Sequence, residues 1–342
     1  MKHIFSIHSN ICVIVVYGRI KELIEKGEKV VVVSDRNTEF PYFKDLIEFH
    51  DIQSVTDKYR GNCKTAFSKF VNYAFTYLPH YKTSAKKIIH EEDFILYLSS
   101  CNYFTTSPYL WSKYCKGYYF IEEGTMSYMD IDILRKRYKK QLRHGQALLN
   151  IIGFKSKFDY YTDNRFLGCI CVSEKAFPWC KERKFVDDLS EYKKQIGDNV
   201  KPLDYVIVTD YLRDDVEDIK AGFKMILDFV KERNIKATIG VKMHPTAVSY
   251  EKNKINVIRK FLLSDYPDSH FEFLPTGYAV EDLLIKSRSS LFSIFGISSL
   301  LLYSIVYGSR SYALFCKPKI EMKEIHSVNE ILDIVHKSVK GL

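Results

Sequence analysis

The fold is decided by the segment DYVIVTDYLRDDVEDIKAGFKMILDFVKERNIKATIGVKMHP, which covers residues 204–245. Its first and last parts, DYVIVTD and ATIGVKMHP, are short apolar runs of the kind that form strands buried on both faces. Between them, apolar residues recur at intervals of three and four, which predicts an amphipathic helix. These residues are Val216, Ile219, Phe223, Ile226, Leu227 and Val230. A strand, a helix and a strand in this order are typical of a parallel sheet covered by helices.

The same alternation extends along most of the chain. Further strands are predicted at Lys29–Asp35, Asp93–Ser100, Gly117–Glu123 and Gly168–Ser173. Because helical segments separate them, we expect two doubly wound, Rossmann-like α/β domains. The polar segment 185–203 marks their boundary, with one domain over residues 1–190, another over 200–320 and a closing C-terminal helix over 321–342. Two such domains facing each other would surround a central cleft with the carboxyl ends of their strands, where ligands usually bind.

Composition narrows the possible functions. The chain has 342 residues, a hydrophobic fraction of 46% and a formal net charge of +9. A chain of this kind can build sizeable cores, and its moderate positive charge suits an anionic ligand or an acidic membrane surface. Neither a zinc-finger nor a helix-turn-helix signature accompanies the charge, so we expect no nucleic-acid partner. Eight cysteines without a CxxC pair predict reduced thiols in a cytoplasmic protein, with no zinc site.

The N-terminal apolar run is interrupted by the polar residues His8, Ser9 and Asn10. No small-residue cleavage site follows, so we interpret the run as a first buried strand and the start of a helix, not as a signal peptide. No apolar stretch approaches the roughly 18 residues that a membrane-spanning helix requires.

Two adjacent carboxylates end one of the predicted strands. In the stretch YYFIEEG, Glu122 and Glu123 follow an apolar run, and Gly124 lets the backbone turn. A carboxylate that is partly desolvated at such a strand end has a raised pKa and can take a proton from a hydroxyl. Repulsion within the pair would raise the pKa of one member further. The ordinary alternative is an acidic loop after a strand.

Three further polar motifs follow in the second half of the chain. His244, with Lys242 nearby, ends a strand just before Pro245 and can donate a hydrogen bond to a phosphate oxygen. Glu281 is expected in the first turn of a helix that begins near Ala279, where it can accept hydrogen bonds from a ribose diol. The pair Ser298–Ser299 precedes an apolar run and is typical of a helix N-terminus, which binds anions. Each also has a structural explanation: a histidine bonded to backbone, a first-turn acid and a plain N-cap.

The order of these motifs resembles that of the bacterial sialyltransferases. That group, which includes lipooligosaccharide sialyltransferases and capsular polysialyltransferases, shares a D/E-D/E-G motif, an HP motif and a late serine pair. Here the motifs read Glu122-Glu123-Gly124, His244-Pro245 and Ser298-Ser299. The resemblance implies a GT-B fold and an inverting, metal-independent transfer of sialic acid from CMP-sialic acid to a hydroxyl of a glycan acceptor. The acceptor would be a lipooligosaccharide or a capsular polysaccharide.

The resemblance also implies a role for each matching residue. Glu122 would be the general base that deprotonates the acceptor hydroxyl, and Glu123 would assist it or hold the loop. His244 would bind the phosphate of the CMP leaving group and stabilise its growing charge. The other donor-binding residues would be Pro245, Tyr278, Glu281 on the cytidine ribose, and Ser298 and Ser299 on the phosphate. The residues on the acceptor side would be His8, Ser9 and Asn10. Neither a metal nor another cofactor is expected, because these donors stabilise the departing phosphate themselves.

A basic cluster follows the acid motif, within residues 135–143. It contains Arg135, Lys136, Arg137, Lys139, Lys140 and Arg143. Such a cluster suits anionic lipid or a phosphorylated glycolipid acceptor, and it would place the enzyme at the inner face of the cytoplasmic membrane. The alternative is a solvated helix face.

Other functions stay open at this point. One is a different GT-B transferase that uses CMP-Kdo or a nucleoside-diphosphate sugar. Another is a non-catalytic protein that binds glycans or nucleotides with the same fold. The sequence leaves open the acceptor sugar, the linkage, the oligomeric state and which of the two glutamates is the base.

Overall fold

The computed structural model describes most of the chain. The described residues are 1–34, 38–52, 71–99, 105–135, 163–196, 200–209, 215–233, 236–244, 252–275, 277–296, 298–316 and 319–340. The chain forms two compact units, Met1–Tyr192 and Lys193–Leu342.

Within its described residues, the first unit holds a seven-stranded sheet. Its strands are β1 (Lys2–Ile7), β2 (Lys29–Ser34), β3 (Glu48–Asp51), β4 (Phe94–Leu98), β5 (Cys115–Ile121), β6 (Phe166–Cys171) and β7 (Lys184–Val186). Every neighbouring pair is parallel, in the order β3-β2-β1-β4-β5-β6-β7. Successive strands are thus added on one side of β1 as far as β3, and then on its other side from β4 to β7. Doubly wound folds bind ligands where this reversal occurs, at the carboxyl ends of the strands.

In the described part of this unit, three α-helices lie between strands: α1 (Asn10–Glu25), α2 (Leu78–Ile89) and α3 (Ser107–Leu110). A further helix, α4 (Ser190–Gln195), follows β7. The first half of α1 is apolar, and its residues from Ile11 to Tyr17 are all buried. A short 3₁₀ helix, Gly124–Tyr128, begins directly after the acid pair. Gly124 has a φ of +61°, which suits glycine and allows the chain to turn at the end of the sheet.

The second unit repeats the pattern with a six-stranded sheet in its described part. Its strands are β8 (Tyr205–Thr209), β9 (Thr238–Lys242), β10 (His270–Phe273), β11 (Ser290–Ile294), β12 (Ser311–Phe315) and β13 (Glu321–Ile325). The order is β10-β9-β8-β11-β12-β13, and β13 alone pairs antiparallel in this sheet. The helices among its described residues are α5 (Val216–Arg233), α6 (Lys252–Asp265), α7 (Val280–Ser287), α8 (Ser299–Val306) and α9 (Val328–Lys340).

The core of the second unit explains why the strand–helix–strand pattern of residues 204–245 gives β8, α5 and β9. The apolar face of α5 packs on the sheet, with Phe223 and Ile226 fully buried. Phe229 meets the rings of Phe292 and Tyr312 edge-on, and those two rings stack with centroids 4.7 Å apart. This burial of one helix face against parallel strands is the arrangement that the alternating pattern predicts.

The predicted strands are confirmed within their described parts as β2, β4, β5, β6, β8 and β9, and the predicted helix after β8 is α5. Short strands with polar residues were not predicted, among them β3, β7, β10 and β13. Of the basic cluster, only Arg135 belongs to the described residues, where it pairs with Asp132 at 3.1 Å. The remaining five cations lie outside the described residues.

Gly168→Ala should destabilise the first unit. Gly168 in β6 has a φ of +149°, and an added Cβ would lie 2.1 Å from the backbone oxygen of Arg183. A backbone atom cannot swing aside, so the free energy of unfolding should fall by about 1–3 kcal/mol. Gly277→Ala is the control, since no heavy atom of the described residues lies within 4 Å of its added Cβ. Equal losses of stability for both variants in urea denaturation would show that the close approach of Arg183 does not require a glycine at position 168.

Candidate functional site

Two sheet edges carry the candidate residues, one in each unit. The first carboxyl edge is formed by the ends of β1, β4, β5 and β6. The second carboxyl edge is formed by the ends of β8, β9, β10 and β11. Both follow from the parallel strand orders, since parallel strands all end at the same side of a sheet.

Glu122 at the first carboxyl edge is fully buried, with 0% of its surface exposed. The Tyr128 hydroxyl donates to its Oε1 at 2.6 Å, and the backbone N–H of Val172 donates to its Oε2 at 2.8 Å. Tyr128 ends the 3₁₀ helix, and Val172 follows β6. The carboxylate therefore fastens the turn after β5 to the end of the neighbouring strand.

Glu123 has a different environment from its neighbour. Its side chain is partly exposed, and its backbone N–H donates to Ser127 Oγ at 2.8 Å. Burial raises the pKa of the Cys12 thiol in α1, and the negative charge of Glu123 raises that pKa further. The Glu123 carboxylate therefore acts on the first turns of α1, and it is the accessible member of the acid pair.

The predicted acceptor-side residues lie at the end of β1, on the same edge. His8 is buried, whereas Ser9 and Asn10 are partly exposed. The Ser9 hydroxyl donates to the Cys12 sulfur at 3.4 Å, and α1 begins at Asn10. The structure thus brings residues 8–10 and the acid pair to one edge of one sheet, at the point where the strand order reverses.

In the second unit, the predicted histidine lies just beyond β9. His244 is partly exposed, and its backbone N–H donates to the hydroxyl oxygen of Thr209 at 3.3 Å. Thr209 is the last residue of β8, so this bond ties the histidine segment to the central strand of the sheet. Pro245, the second residue of the predicted motif, lies outside the described residues.

Lys242 forms a connection that the sequence did not reveal. Its ammonium group donates to the backbone carbonyl of Tyr278 and is attracted by Glu281. Burial lowers the pKa of Lys242, and burial raises the pKa of Glu281, each against the attraction of the opposite charge. Burial also raises the pKa of the Tyr278 hydroxyl. In this structure Lys242 therefore holds the segment before α7, and the phosphate donor that the sequence suggests is the nearby His244.

The serine pair begins α8, as the sequence predicts. Ser298 is the N-cap residue, and its hydroxyl oxygen accepts from the backbone N–H of Leu300 at 3.2 Å. Its own O–H proton remains able to point outward, and Ser299 is exposed. The preceding turn contains Phe295, whose φ of +53° is unusual for a bulky residue. An added Cβ on Gly222 would lie 3.1 Å from the Phe295 ring, so this small residue makes room for it.

The segment after the acid pair contains two more carboxylates in a D-x-D spacing, Asp130 and Asp132, which lie outside the three motifs. Both are exposed. Among the described residues, no group of three or more His, Cys, Asp or Glu side chains could hold a metal ion. No helix in the described part of the chain is long and apolar enough to cross a membrane.

No protein-family model matches the sequence, and no curated protein matches it. Solved structures do match. A putative UDP-N-acetylglucosamine 2-epimerase from Listeria monocytogenes has a TM-score of 0.50 at 12% identity, over 91% of this chain and 78% of that chain. Os79 from O. sativa, solved with UDP and deoxynivalenol-3-glucoside, has a TM-score of 0.50 at 11% identity, over 91% and 80%. E. coli heptosyltransferase WaaC has a TM-score of 0.47 at 9% identity, over 99% and 100%.

At these identities the likeness concerns the fold alone. The two matches with a TM-score of 0.50, together with the mostly parallel strand orders, confirm the predicted fold class: two Rossmann-like, doubly wound domains of the GT-B type. Proteins of different activity share this fold, because the fold fixes only where strand ends lie, and function depends on the residues placed there.

Glu281→Gln should stabilise the second unit at neutral pH. Because the folded-state pKa of Glu281 is raised, its contribution to stability is present below its ordinary pKa of about 4.3 and is lost as pH rises through the raised value. Glutamine resembles the protonated carboxyl and does not ionise. In chemical denaturation from pH 4 to pH 7, the free energy of unfolding of the variant should therefore increase relative to that of the parent as pH increases. Glu217→Gln, at a side chain that is 77% exposed, is the control. A Glu281→Gln variant less stable than the parent at pH 7 would contradict the raised pKa of Glu281.

Proposed function

We propose that this protein is a glycosyltransferase that takes its sugar from a nucleotide-sugar donor, and specifically an inverting, metal-independent sialyltransferase. The observation that carries the proposal is the second carboxyl edge. His244, Glu281 and the Ser298–Ser299 pair come from three separate segments, and all of them follow parallel strands that end at this edge. Histidine, hydroxyls and a helix N-terminus are donors suited to a phosphate.

The donor nucleotide is assigned to the second unit. In the proposal, the imidazole of His244 and the serine hydroxyls bind the phosphate of CMP. The Glu281 carboxylate accepts hydrogen bonds from the ribose diol, while Lys242 keeps the Tyr278 segment in place. Donors that are already fixed by the fold stabilise the charge that develops on the leaving phosphate without reorganising.

Proton removal is assigned to the first unit. Sequence resemblance pointed to Glu122 as the base, but its two carboxylate oxygens already accept bonds from Tyr128 and Val172 inside the protein. We therefore assign the base to Glu123, which is partly exposed. Glu122 becomes a positioning residue that fixes the turn in which Glu123 stands.

In the proposed reaction, the oxygen of an acceptor hydroxyl attacks the anomeric carbon of sialic acid. The bond between that carbon and the phosphate oxygen breaks, and its electron pair leaves with CMP. The hydroxyl proton passes to Glu123. Attack on the face opposite the leaving group inverts the anomeric centre. The acceptor would be a lipooligosaccharide or capsular glycan, with residues 8–10 beside it.

A competing function shares the same fold. A GT-B transferase that uses CMP-Kdo or a nucleoside-diphosphate sugar would place a phosphate on the same histidine and serines, and Os79 was solved with UDP. Incubation with labelled galactosides and each of CMP-sialic acid, CMP-Kdo and UDP-N-acetylglucosamine separates these possibilities. We expect transfer from CMP-sialic acid alone, with equal rates in the presence and absence of EDTA. Transfer from another donor would overturn the donor assignment, and loss of activity in EDTA would overturn metal independence.

Glu123→Gln should lower kcat by about 10²–10⁴-fold, the usual contribution of a general base, without changing the affinity for CMP.

Glu122→Ala should instead lower the free energy of unfolding by about 2–4 kcal/mol, since it leaves two buried donors unsatisfied. Glu122→Gln is the matched variant for catalysis, because it keeps an acceptor oxygen and the Tyr128 hydroxyl can rotate to accept from the new amide. Kinetics, calorimetric titration of CMP and urea denaturation give the three readouts. Loss of turnover in Glu122→Gln with normal turnover in Glu123→Gln would return the base to Glu122. Tight CMP binding without transfer in the parent would favour a non-catalytic binder.

A further inference from the structure

The first unit contains a groove that the proposed reaction does not use. It lies between α2 and the segment that runs from α3 to the start of β5, and its volume is about 420 Å³. This is within the range of cavities that hold small organic ligands. Its described lining comes from α2, from Glu91 and from residues between 107 and 114.

One face of α2 forms a wall of the groove. Five residues of this helix line the groove: Leu78, Lys82, Ala85, Lys86 and Ile89. Because they are spaced three, four or one position apart, they form a single stripe along the helix. The stripe runs from Leu78 to Ile89, which at 1.5 Å per residue is about 16 Å. Leu78, Ala85 and Ile89 are buried at its base, whereas Lys82 and Lys86 are exposed. The wall is therefore apolar at the bottom and cationic at the rim.

The opposite wall adds aromatic surface, which a cation outside the groove lining contacts. Trp111 is partly exposed, and the guanidinium of Arg165 lies 5.6 Å from the centroid of its ring. Arg165 is itself fixed, since it donates to the backbone carbonyl of Leu110 at 2.9 Å and pairs with Asp163 at 3.2 Å. The Trp111 ring is thus held in place before any ligand arrives.

The charges of the groove are unbalanced. Three lysines, Lys82, Lys86 and Lys113, line it against one carboxylate, Glu91. An apolar base gives a free phosphate ion nothing to bind, and the lysines give a neutral hydrocarbon no advantage. Both features are satisfied together by a molecule that has a hydrocarbon chain and an anionic head.

The groove lies away from the acid pair, Glu122 and Glu123. Glu91 comes just before β4 and Tyr114 just before β5, and the backbone N–H of Phe94 donates to the Tyr114 carbonyl at 2.9 Å. These residues mark the amino ends of the strands, which is the side of the sheet opposite the acid pair. A ligand in this part of the groove would occupy a place distinct from the first carboxyl edge.

From this geometry we propose that the groove binds a phosphate-headed amphiphile, with its chain along the apolar base and its phosphate at the lysines. The Trp111 and Tyr114 rings flank the chain. This site goes beyond the proposed transferase function, and its occupancy is measured without any transfer assay.

Dodecyl phosphate, kept below its micelle concentration, is the probe for calorimetric titration of the full chain. Inorganic phosphate and dodecyl maltoside are the head-only and chain-only comparisons, and both should bind at least about tenfold more weakly if head and chain contribute together. Lys86→Gln should weaken dodecyl phosphate binding by about five- to tenfold through loss of one charged contact.

Lys87→Gln is the matched control, because this lysine is the next residue of α2, is exposed and is outside the groove lining. Its affinity for dodecyl phosphate should equal that of the parent. The proposal is overturned if dodecyl phosphate does not bind, if either comparison compound binds equally well, or if Lys86→Gln and Lys87→Gln have the same effect. Titration with CMP should give the same affinity in both variants. Absence of dodecyl phosphate binding with normal CMP binding would therefore be a failure of this site and not of the transferase proposal.

Discussion

Parallel strand pairing in the doubly wound order is the constraint on which the structure depends. It makes residues that are distant in the chain neighbours at one side of a sheet, because all parallel strands end there. In the second unit, this brings together residues that follow β9, β10 and β11, up to 55 positions apart from His244 to Ser299. In the first unit, the same constraint places the acid pair two strands from the end of β1. No single loop could gather these side chains.

The two carboxylates of the acid pair differ in burial and in their contacts. Neighbouring carboxylates at the end of a buried strand must differ in environment, because successive residues of an extended chain point to opposite sides. Glu122 points inward and is satisfied by a hydroxyl and a backbone N–H, which offsets the cost of burying it. Glu123 is partly exposed, and its charge raises the pKa of the Cys12 thiol in α1. The buried member stabilises the turn, and in the proposed reaction the other takes the acceptor proton.

Much of the fold could be predicted from the sequence, because central parallel strands are buried on both faces and appear as apolar runs. β2, with its four consecutive valines, is the clearest case. Edge strands lack this signal: β3 reads EFHD and β13 reads EMKEI, with one face toward solvent. β11 was missed although it is central, since serines interrupt its apolar run.

For the candidate site, the sequence indicates where the motifs stand in the fold but not which contacts their residues make. Within the described residues, the motif positions lie at strand ends and helix starts. The burial of Glu122 depends on Val172, 50 residues away, and the position of Lys242 depends on Tyr278, 36 residues away. Such partners are set by strand order and register, which no local pattern contains. The groove beside α2 likewise depends on a second segment that packs against the helix.

A crystal structure of the full chain with CMP would test the central claim most directly. We expect the phosphate within hydrogen-bonding distance of the His244 imidazole and a serine hydroxyl at the start of α8, with the ribose diol on Glu281. A nucleotide bound elsewhere, with the second carboxyl edge unoccupied, would contradict the assignment of the donor to the second unit.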